Sequence, residues 1–163
     1  MDPTYNLRKF EPKDLYQVMS INQRCLPENY TESFFMSLYK NFPETFIVAE
    51  KDGEIVGYIM CRIESGLSSI SFTPLSLSRK GHIISIAVLP EHRRKGLGHA
   101  LIEKALETMA KLYNAKSCYL EVRVSNEPAI SLYKKAGFEV QRTIRGYYAD
   151  GENAYIMSKK IQS

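Results

Sequence analysis

The sequence predicts an α+β domain with a mixed central β-sheet of about seven strands and four helices. Three observations lead to this class. Strand-like and helix-like segments are interleaved along all 163 residues, residues 83–89 are almost wholly apolar, and a glycine-containing turn joins that run to an amphipathic segment. An apolar run of this kind is typical of a central strand covered on both faces. With the strand that follows, these segments form a central β-α-β unit.

The first half of the chain predicts three strands and two helices. In order, these are a strand at 5–10, a helix at about 12–23, a helix at 32–40, and strands at 46–50 and 55–63. Pro12 suits the first turn of a helix, and Thr31 is a candidate N-cap. Asp52-Gly53 between two apolar runs indicates a hairpin. The serine-rich residues 65–80 are expected to form a surface loop, the longest in the chain.

The second half predicts four more strands and two helices. In order, these are a strand at 82–89, a helix at 98–113, a strand at 118–124, a helix at 126–136, and strands at 138–147 and 154–159. The apolar stripe of the helix at 98–113 consists of Leu101, Ile102, Ala105, Leu106, Met109 and Leu112. Gly137 is the expected left-handed cap of the next helix, and Asp150-Gly151 marks the last hairpin.

Composition limits the class of protein. A hydrophobic fraction of 44% and a charged fraction of 25% are ordinary for a globular chain, and we expect one domain over residues 1–163. No apolar run approaches the ~20 residues of a membrane span, and Met1-Asp2-Pro3-Thr4 does not resemble a signal peptide. The cysteines Cys25, Cys61 and Cys118 have no pairing or zinc spacing, which predicts reduced thiols in a cytoplasmic protein.

Arg93-Arg94-Lys95-Gly96-Leu97-Gly98 is the most informative stretch of the sequence. Glycines at a strand-to-helix turn let the backbone approach a ligand closely, and the helix directs its unpaired N–H groups and positive dipole end at that turn. Three cations beside them favour a ligand with phosphates. The run is neither a nucleotide P-loop nor a dinucleotide fingerprint, so it predicts a pyrophosphate site of another kind; a solvated basic loop is the alternative.

The element order and two motifs resemble the GNAT acyl-CoA N-acyltransferase superfamily. The first motif is Arg-x-x-Gly-x-Gly at 93–98, and the second is Asn-x-x-Ala-x-x-Leu-Tyr-x-x-x-Gly-Phe at 126–138. Leu-Pro-Glu-Asn-Tyr at 26–30, the strand at 81–88 and the segment 146–155 resemble N-terminal (Nα) acetyltransferases of the NatA catalytic type, in their archaeal single-chain form. Asn153 departs from the Asp usual there. The resemblance implies a GNAT fold with splayed fourth and fifth strands.

The resemblance also implies acetyl-CoA as cosubstrate and a set of residues to bind it. The pyrophosphate would lie on the amides of 94–99, and the pantetheine arm along the backbone of 86–88. The implied residues are Ile86, Ala87, Val88, Arg93, Arg94, Lys95, Gly96, Leu97, Gly98, His99, Asn126 and Tyr133. Asn126 has a second interpretation as a helix N-cap, which does not exclude the first.

Acetyl transfer to an amine needs a proton for the leaving thiolate and a base for the amine. Tyr133 is the implied general acid, and its alternative is an ordinary core tyrosine. His82, Glu121 and Glu28 are the candidate bases. Each also has a structural interpretation: His82 as a histidine that begins a strand, Glu121 as a salt-bridge partner, and Glu28 as a solvated loop carboxylate. His82 and Glu121 could also hold a metal, but two ligands are too few to predict one.

The expected partners are protein N-termini, nascent chains among them, with no membrane or nucleic acid; a monomer is compatible with the resemblance. The residues implied to line the peptide slot are Leu26, Pro27, Glu28, Tyr30, Tyr147 and Tyr148. Two alternatives remain at this stage: an acetyltransferase for lysine side chains or small amines, and a CoA-sensing module without turnover. The net charge of +4 is too small to favour nucleic acid.

Overall fold

The computed structural model describes residues 1–67 and 77–162, and within them the predicted order of elements is confirmed. The elements are β1 (Asn6–Lys9), α1 (Leu15–Cys25), α2 (Glu32–Asn41), β2 (Ile47–Lys51), β3 (Glu54–Leu67), β4 (Leu77–Val88), α3 (Leu97–Tyr113), β5 (Ala115–Arg123), α4 (Glu127–Lys135), β6 (Glu139–Ile144) and β7 (Ala154–Lys160). Short 3₁₀ turns precede α1, β2 and α3, and each begins with a proline. No helix in the described ranges is both long enough and apolar enough to span a membrane.

The strands form a mixed sheet in the order β1-β2-β3-β4-β5-β7-β6. β1, β2 and β3 pair antiparallel in sequence, and β7 pairs antiparallel with both β5 and β6. Only β4 and β5 pair in parallel among the described ladders, from Arg79–Ala115 to His82–Tyr119. The sheet therefore has the mixed character that the sequence predicts, with the parallel pair at its centre.

The described residues divide into two compact units. Unit 1 consists of Met1–Arg62 and Ile83–Thr108, and its core lies between α1, α2 and the strands β2 to β4. The largest fully buried side chains there include Phe10, Phe35, Phe46, Tyr58 and Met60. Thr31 caps α2 as predicted, because its hydroxyl accepts a hydrogen bond from the backbone N–H of Phe34 at 3.2 Å.

Unit 2 consists of Ile63–His82 and Met109–Ser163, described as far as residue 162. Its core includes Cys118, Leu120, Phe138, Ala154 and Met157. Gly137 follows α4 with a φ of +97°, so the prediction of a left-handed cap is confirmed. Lys159 donates from its Nζ to the carbonyl of Ala136 at 2.8 Å and so stabilises the same helix end.

Two predictions from the sequence are wrong in part. The expected loop at 65–80 is strand at both ends, since β3 runs to Leu67 and β4 begins at Leu77; residues 68–76 lie outside the described ranges. Sheet neighbours satisfy backbone hydrogen bonds there, and this outweighs the polar composition. Leu112 was placed on the apolar stripe of α3 but is 64% exposed, because it lies in the last turn of the helix. The other five stripe residues are buried.

Candidate active site

The basic turn before α3 has the backbone of an anion-binding loop. Arg94 and Gly96 both have left-handed φ angles, +63° and +81°. Alternation of this kind produces concave rows of backbone N–H groups that bind anions. The side chains of Arg93, Arg94 and Lys95 are exposed, and α3 begins at Leu97, which is buried. A diphosphate therefore fits the chemistry of this turn.

Two of the predicted cofactor residues in this turn have contacts within unit 1 or within α3. The Nε of Arg93 donates to the carbonyl of Val88 at 2.9 Å, which joins the turn to the end of β4. His99 is exposed, and its Nε2 lies 3.8 Å from Oε1 of Glu103 on the next turn of α3. Their roles in binding phosphate stay predictions.

The end of β4 presents a half-exposed apolar edge. Ser85 and Ala87 are buried, whereas Ile84, Ile86 and Val88 are only half-buried, as strand alternation requires. The predicted pantetheine-binding segment 86–88 therefore has buried Ala87 between two partly accessible neighbours. Gly57 lies against this segment, because a Cβ there would come within 3.1 Å of the Ala87 carbonyl oxygen.

The predicted substrate loop at 26–30 is tied to unit 1 by Asn22, a buried residue of α1 that sequence reasoning missed. The Nδ2 of Asn22 donates to the carbonyl of Glu28 at 3.0 Å and to the hydroxyl of Tyr58 at 3.1 Å. Its Oδ1 accepts from the backbone N–H of Tyr30 at 3.3 Å. Tyr58 in turn lies 2.7 Å from Oγ of Ser85 on β4.

These hydrogen bonds hold the loop at 26–30 in place, and its side chains differ in exposure. Leu26 and Glu28 are half-buried and Pro27 is exposed. The hydroxyl of Tyr30 donates to the carbonyl of Ile84 at 3.5 Å, so the loop reaches the accessible face of β4. The structure thus brings Tyr30 together with β4 within unit 1.

In unit 2, Tyr133 is 8% exposed and lies on α4, its ring 6.2 Å from that of Phe138. Burial raises the pKa of its phenol above the ordinary value. Within residues 1–67 and 77–162, no hydrogen-bond partner of its hydroxyl is found. No fully buried side-chain oxygen of the described residues lacks a partner, so the hydroxyl oxygen of Tyr133 is accessible, and a ligand could contact it there.

Asn126 caps α4, as one of its two interpretations predicts. Its Oδ1 accepts from the backbone N–H of Ala129 at 3.3 Å, and Pro128 lies in the first turn. The side chain is half-buried, so its amide nitrogen could also donate to a ligand. That second role stays a prediction.

His82 lies among acidic and aromatic groups of unit 2. Its Nε2 is 2.7 Å from Oε2 of Glu121, which the sequence predicted as its neighbour. Its Nδ1 is 3.0 Å from Oε2 of Glu64, which sequence reasoning missed. The hydroxyl of Tyr119 donates to the other oxygen of Glu64 at 2.6 Å, and its ring stacks on the imidazole at 4.1 Å. We call these four residues the His82 cluster.

The two carboxylates of the His82 cluster contact opposite ring nitrogens. Two such carboxylates cannot chelate one ion together with that imidazole. Across the described ranges, no group of three or more His, Cys, Asp or Glu side chains is arranged to hold a metal ion.

The connection between β6 and β7 holds the remaining predicted substrate residues, Tyr147 and Tyr148. Their rings meet edge to face at 4.9 Å; Tyr147 is 46% exposed, and Arg123 lies over the ring of Tyr148 at 4.1 Å. Asn153 accepts from the backbone N–H of Gly146 at 2.9 Å through its Oδ1. An amide oxygen here makes the contact that an aspartate oxygen could make.

Comparisons with known proteins identify the family. The model of the Acetyltransferase (GNAT) family matches residues 15–138. The chain is 51% identical to an N-alpha-acetyltransferase of Sulfurisphaera tokodaii over 157 residues, 96% of this chain and 93% of the relative.

Two solved structures are also similar. Ard1 from Thermoplasma volcanium has a TM-score of 0.81 at 33% identity, covering 98% of this chain and 99% of that one. Naa20 of Chaetomium thermophilum, in complex with a bisubstrate analogue, has a TM-score of 0.82 at 36% identity, covering 95% and 86%.

The fold and the family match define an acetyl-CoA-dependent N-acyltransferase. The chain belongs to the GNAT acetyltransferase family, and its relatives and structural neighbours include N-alpha-acetyltransferases and an Ard1 enzyme. The resemblance read from the two sequence motifs is thereby confirmed.

Proposed function

We propose that this protein transfers the acetyl group of acetyl-CoA to the free α-amino group of protein N-termini, by direct attack in a ternary complex. The relative that is 51% identical is an N-alpha-acetyltransferase, and the similar Naa20 structure holds a bisubstrate analogue. Within this chain, the observation that carries the proposal is the hydroxyl of the mostly buried Tyr133, which has no hydrogen-bond partner among the described residues and lies in the second family motif.

The chain offers two kinds of contact to the cosubstrate. Backbone N–H groups of 94–99, with Arg93, Arg94 and Lys95 beside them, would bind the diphosphate. Backbone groups of 86–88 would pair with the amides of the pantetheine arm, as an added strand would. Acetyl-CoA supplies an acetyl group that is already activated as a thioester.

Tyr133 would hold the proton that the departing sulfur needs. A phenol ordinarily has a pKa of about 10 and a thiol about 8.5, so the thiolate is the weaker base and a shared proton stabilises it. Burial raises the pKa of Tyr133 further, so the hydroxyl remains protonated at neutral pH. A protonated phenol can donate a hydrogen bond as negative charge develops on sulfur.

Only a weak base is needed to deprotonate the substrate, because an α-amine has a pKa of about 7.7–8.0 and roughly a tenth is neutral at pH 7. Glu28 in the substrate loop and the pair His82 and Glu121 in the His82 cluster are the candidates. Any of them could act through a water molecule.

The peptide slot would use Leu26, Pro27, Glu28 and Tyr30 from the loop tied down by Asn22, and Tyr147 and Tyr148 from the β6–β7 connection. Tyrosines supply apolar walls and a hydroxyl for backbone recognition. The name of the 51% identical relative favours protein N-termini over small amines.

The proposed activity also leads to expectations about the substrates, the oligomeric state, the domain extent and the cellular compartment. We expect nascent as well as completed protein N-termini to be substrates, and a monomer to be active. The family match at 15–138 includes residues of both units, which supports a single domain over 1–163. Cys25, Cys61 and Cys118 form no disulfide, which suits the reducing cytoplasm.

A peptide panel tests the function. Short peptides that differ in the first residue would be offered with acetyl-CoA, each with its α-amine free or chemically blocked and with one internal lysine. We expect acetylation of the free peptides at the α-amine, located by fragment mass spectrometry. Acetylation of blocked peptides through lysine alone would contradict the proposal, and binding of acetyl-CoA without turnover would favour a sensor.

Tyr133→Phe tests the role of the phenol, with Tyr16→Phe as a matched control because Tyr16 is 72% exposed on α1. We expect kcat to fall by about 100-fold or more in Tyr133→Phe. The KM for acetyl-CoA should change little, because the ring remains in place. Equal kcat values for the two variants would remove Tyr133 from the chemistry.

A further inference from the structure

The distances within the His82 cluster indicate which of its atoms carry protons. Both ring nitrogens of His82 are within hydrogen-bond distance of a carboxylate oxygen, at 3.0 Å and 2.7 Å. An N···O contact of this length needs a proton between the two atoms, since two lone pairs would otherwise face each other. The cluster therefore holds one proton in each contact. An isolated neutral imidazole could supply only one of them.

The ring is the better place for both protons. A carboxylic acid ordinarily has a pKa of about 4.3 and an imidazole about 6.5, so a shared proton favours the ring. The hydroxyl of Tyr119 donates to Glu64, which stabilises the ionised form of that carboxylate. The Tyr119 ring lies nearly parallel to the imidazole, with an interplanar angle of 17°, and an aromatic face favours a cation.

We infer that Glu64 is a positioning residue that holds His82 as an imidazolium, with one proton bonded to Glu64 and the other to Glu121. The inference rests on the proposed function for its catalytic meaning. In this arrangement His82 donates to Glu121 and orients it, and His82 is not itself the proton acceptor. The base is then sought among Glu121 and Glu28.

Three neighbouring strands carry the residues of the His82 cluster. His82 and Tyr119 are partners in the parallel ladder of β4 and β5, and Glu121 lies two residues further along β5 on the same face. Glu64 reaches the ring from β3. The His82 side chain is only 9% exposed, against 17% for Glu121 and 33% for Glu64, so the ring is held between two strands that carry its partners.

Nitrogen-15 NMR of the histidine rings tests the charge state directly. The chain has three histidines, so the variants His92→Gln and His99→Gln assign the signals. At neutral pH we expect both ring nitrogens of His82 to have protonated-type shifts and slowly exchanging N–H protons. A His82 ring with one bare nitrogen in the folded wild type would overturn the inference.

Glu64→Gln tests the role of Glu64, because it keeps the shape of the side chain and removes its charge. The matched control is Glu139→Gln, an exposed residue of β6 with the same change in net charge. We expect the His82 nitrogen shifts of Glu64→Gln to move toward those of a neutral ring. We expect its kcat to fall about tenfold or more with peptide substrates, while the KM for acetyl-CoA stays within about twofold.

Unchanged shifts together with an unchanged kcat in Glu64→Gln would also overturn the inference. Failure of the proposed function has a different signature. If the wild type modified only lysine side chains, or turned over nothing, the NMR result would still decide the protonation of His82. Loss of folding in Glu64→Gln leaves the wild-type spectrum as the deciding measurement.

Discussion

Replacing Asn22 by Leu should loosen the substrate loop and lower the stability of the fold. Leu has a similar size and no hydrogen-bonding group. The change removes three bonds of 3.0–3.3 Å, from Asn22 Nδ2 to Glu28 and Tyr58 and from the Tyr30 N–H to Oδ1, and a longer one at 3.4 Å that Oδ1 accepts from Asn29. Because Asn22 is 1% exposed, water cannot easily replace it.

The three shorter bonds set the expected magnitude. A buried hydrogen bond contributes about 1 kcal/mol net, so the free energy of unfolding should fall by about 3 kcal/mol. In a domain of this size each kcal/mol lowers the melting temperature by about 2–4 °C, which gives a decrease of about 6–12 °C. The KM for peptide should rise more than the KM for acetyl-CoA, because the loop belongs to the predicted peptide slot.

Differential scanning calorimetry and steady-state kinetics would measure both effects. Asn41→Leu is the matched control, because Asn41 is exposed at the end of α2 and donates only to the carbonyl of Ser37 among the bonds described for it. Its stability should change by less than about 0.5 kcal/mol. If Asn22→Leu melted like this control with an unchanged peptide KM, Asn22 would not determine the loop.

Two further predictions concern backbone and charge. Gly96→Ala and Gly53→Ala should each lower the free energy of unfolding by about 1–2 kcal/mol, since both glycines have φ near +80°. Only Gly96→Ala should raise the KM for acetyl-CoA. Equal KM values for the two variants would show that the turn at Gly96 does not bind the cosubstrate. Burial of Asp14 raises its pKa, but hydrogen bonds from Arg8 and from the backbone N–H of Glu11 outweigh burial and lower it. The unfolded chain therefore binds that proton first, so wild-type stability should fall as pH drops below about 4, and Asp14→Asn should show a shallower fall in urea titrations at several pH values.

The order of elements was predictable because its signals are local. The apolar run at 83–89, the cap Thr31 and the left-handed Gly137 each act through neighbours in sequence. The cofactor turn was predictable for the same reason, since its glycines, cations and helix start are contiguous. Leu112 was not, because exposure at a helix end depends on what packs against it.

The partners of the site residues were not predictable from one sequence, because they are distant in the chain. Glu64 lies 18 residues from His82 and 55 from Tyr119, and no short motif contains it. Asn22 lies 36 residues from Tyr58. In a sequence, a glutamate at the end of a strand and an asparagine in a helix are ordinary polar residues. Only the pairing of β3, β4 and β5 and the packing of α1 give them partners.

The proposed protonation state of His82 is consistent with an α-amine as the substrate. A lysine side chain, with an ordinary pKa of about 10.4, is neutral in less than one part in about a thousand at pH 7 and needs a strong base to attack. An α-amine is several hundred times more often neutral, so a carboxylate acting through water can be sufficient. A histidine held as an imidazolium between Glu64 and Glu121 cannot accept a further proton, but it can orient a carboxylate. An enzyme that has its histidine in this state is suited to α-amines and poorly suited to lysine, which agrees with the proposed substrate.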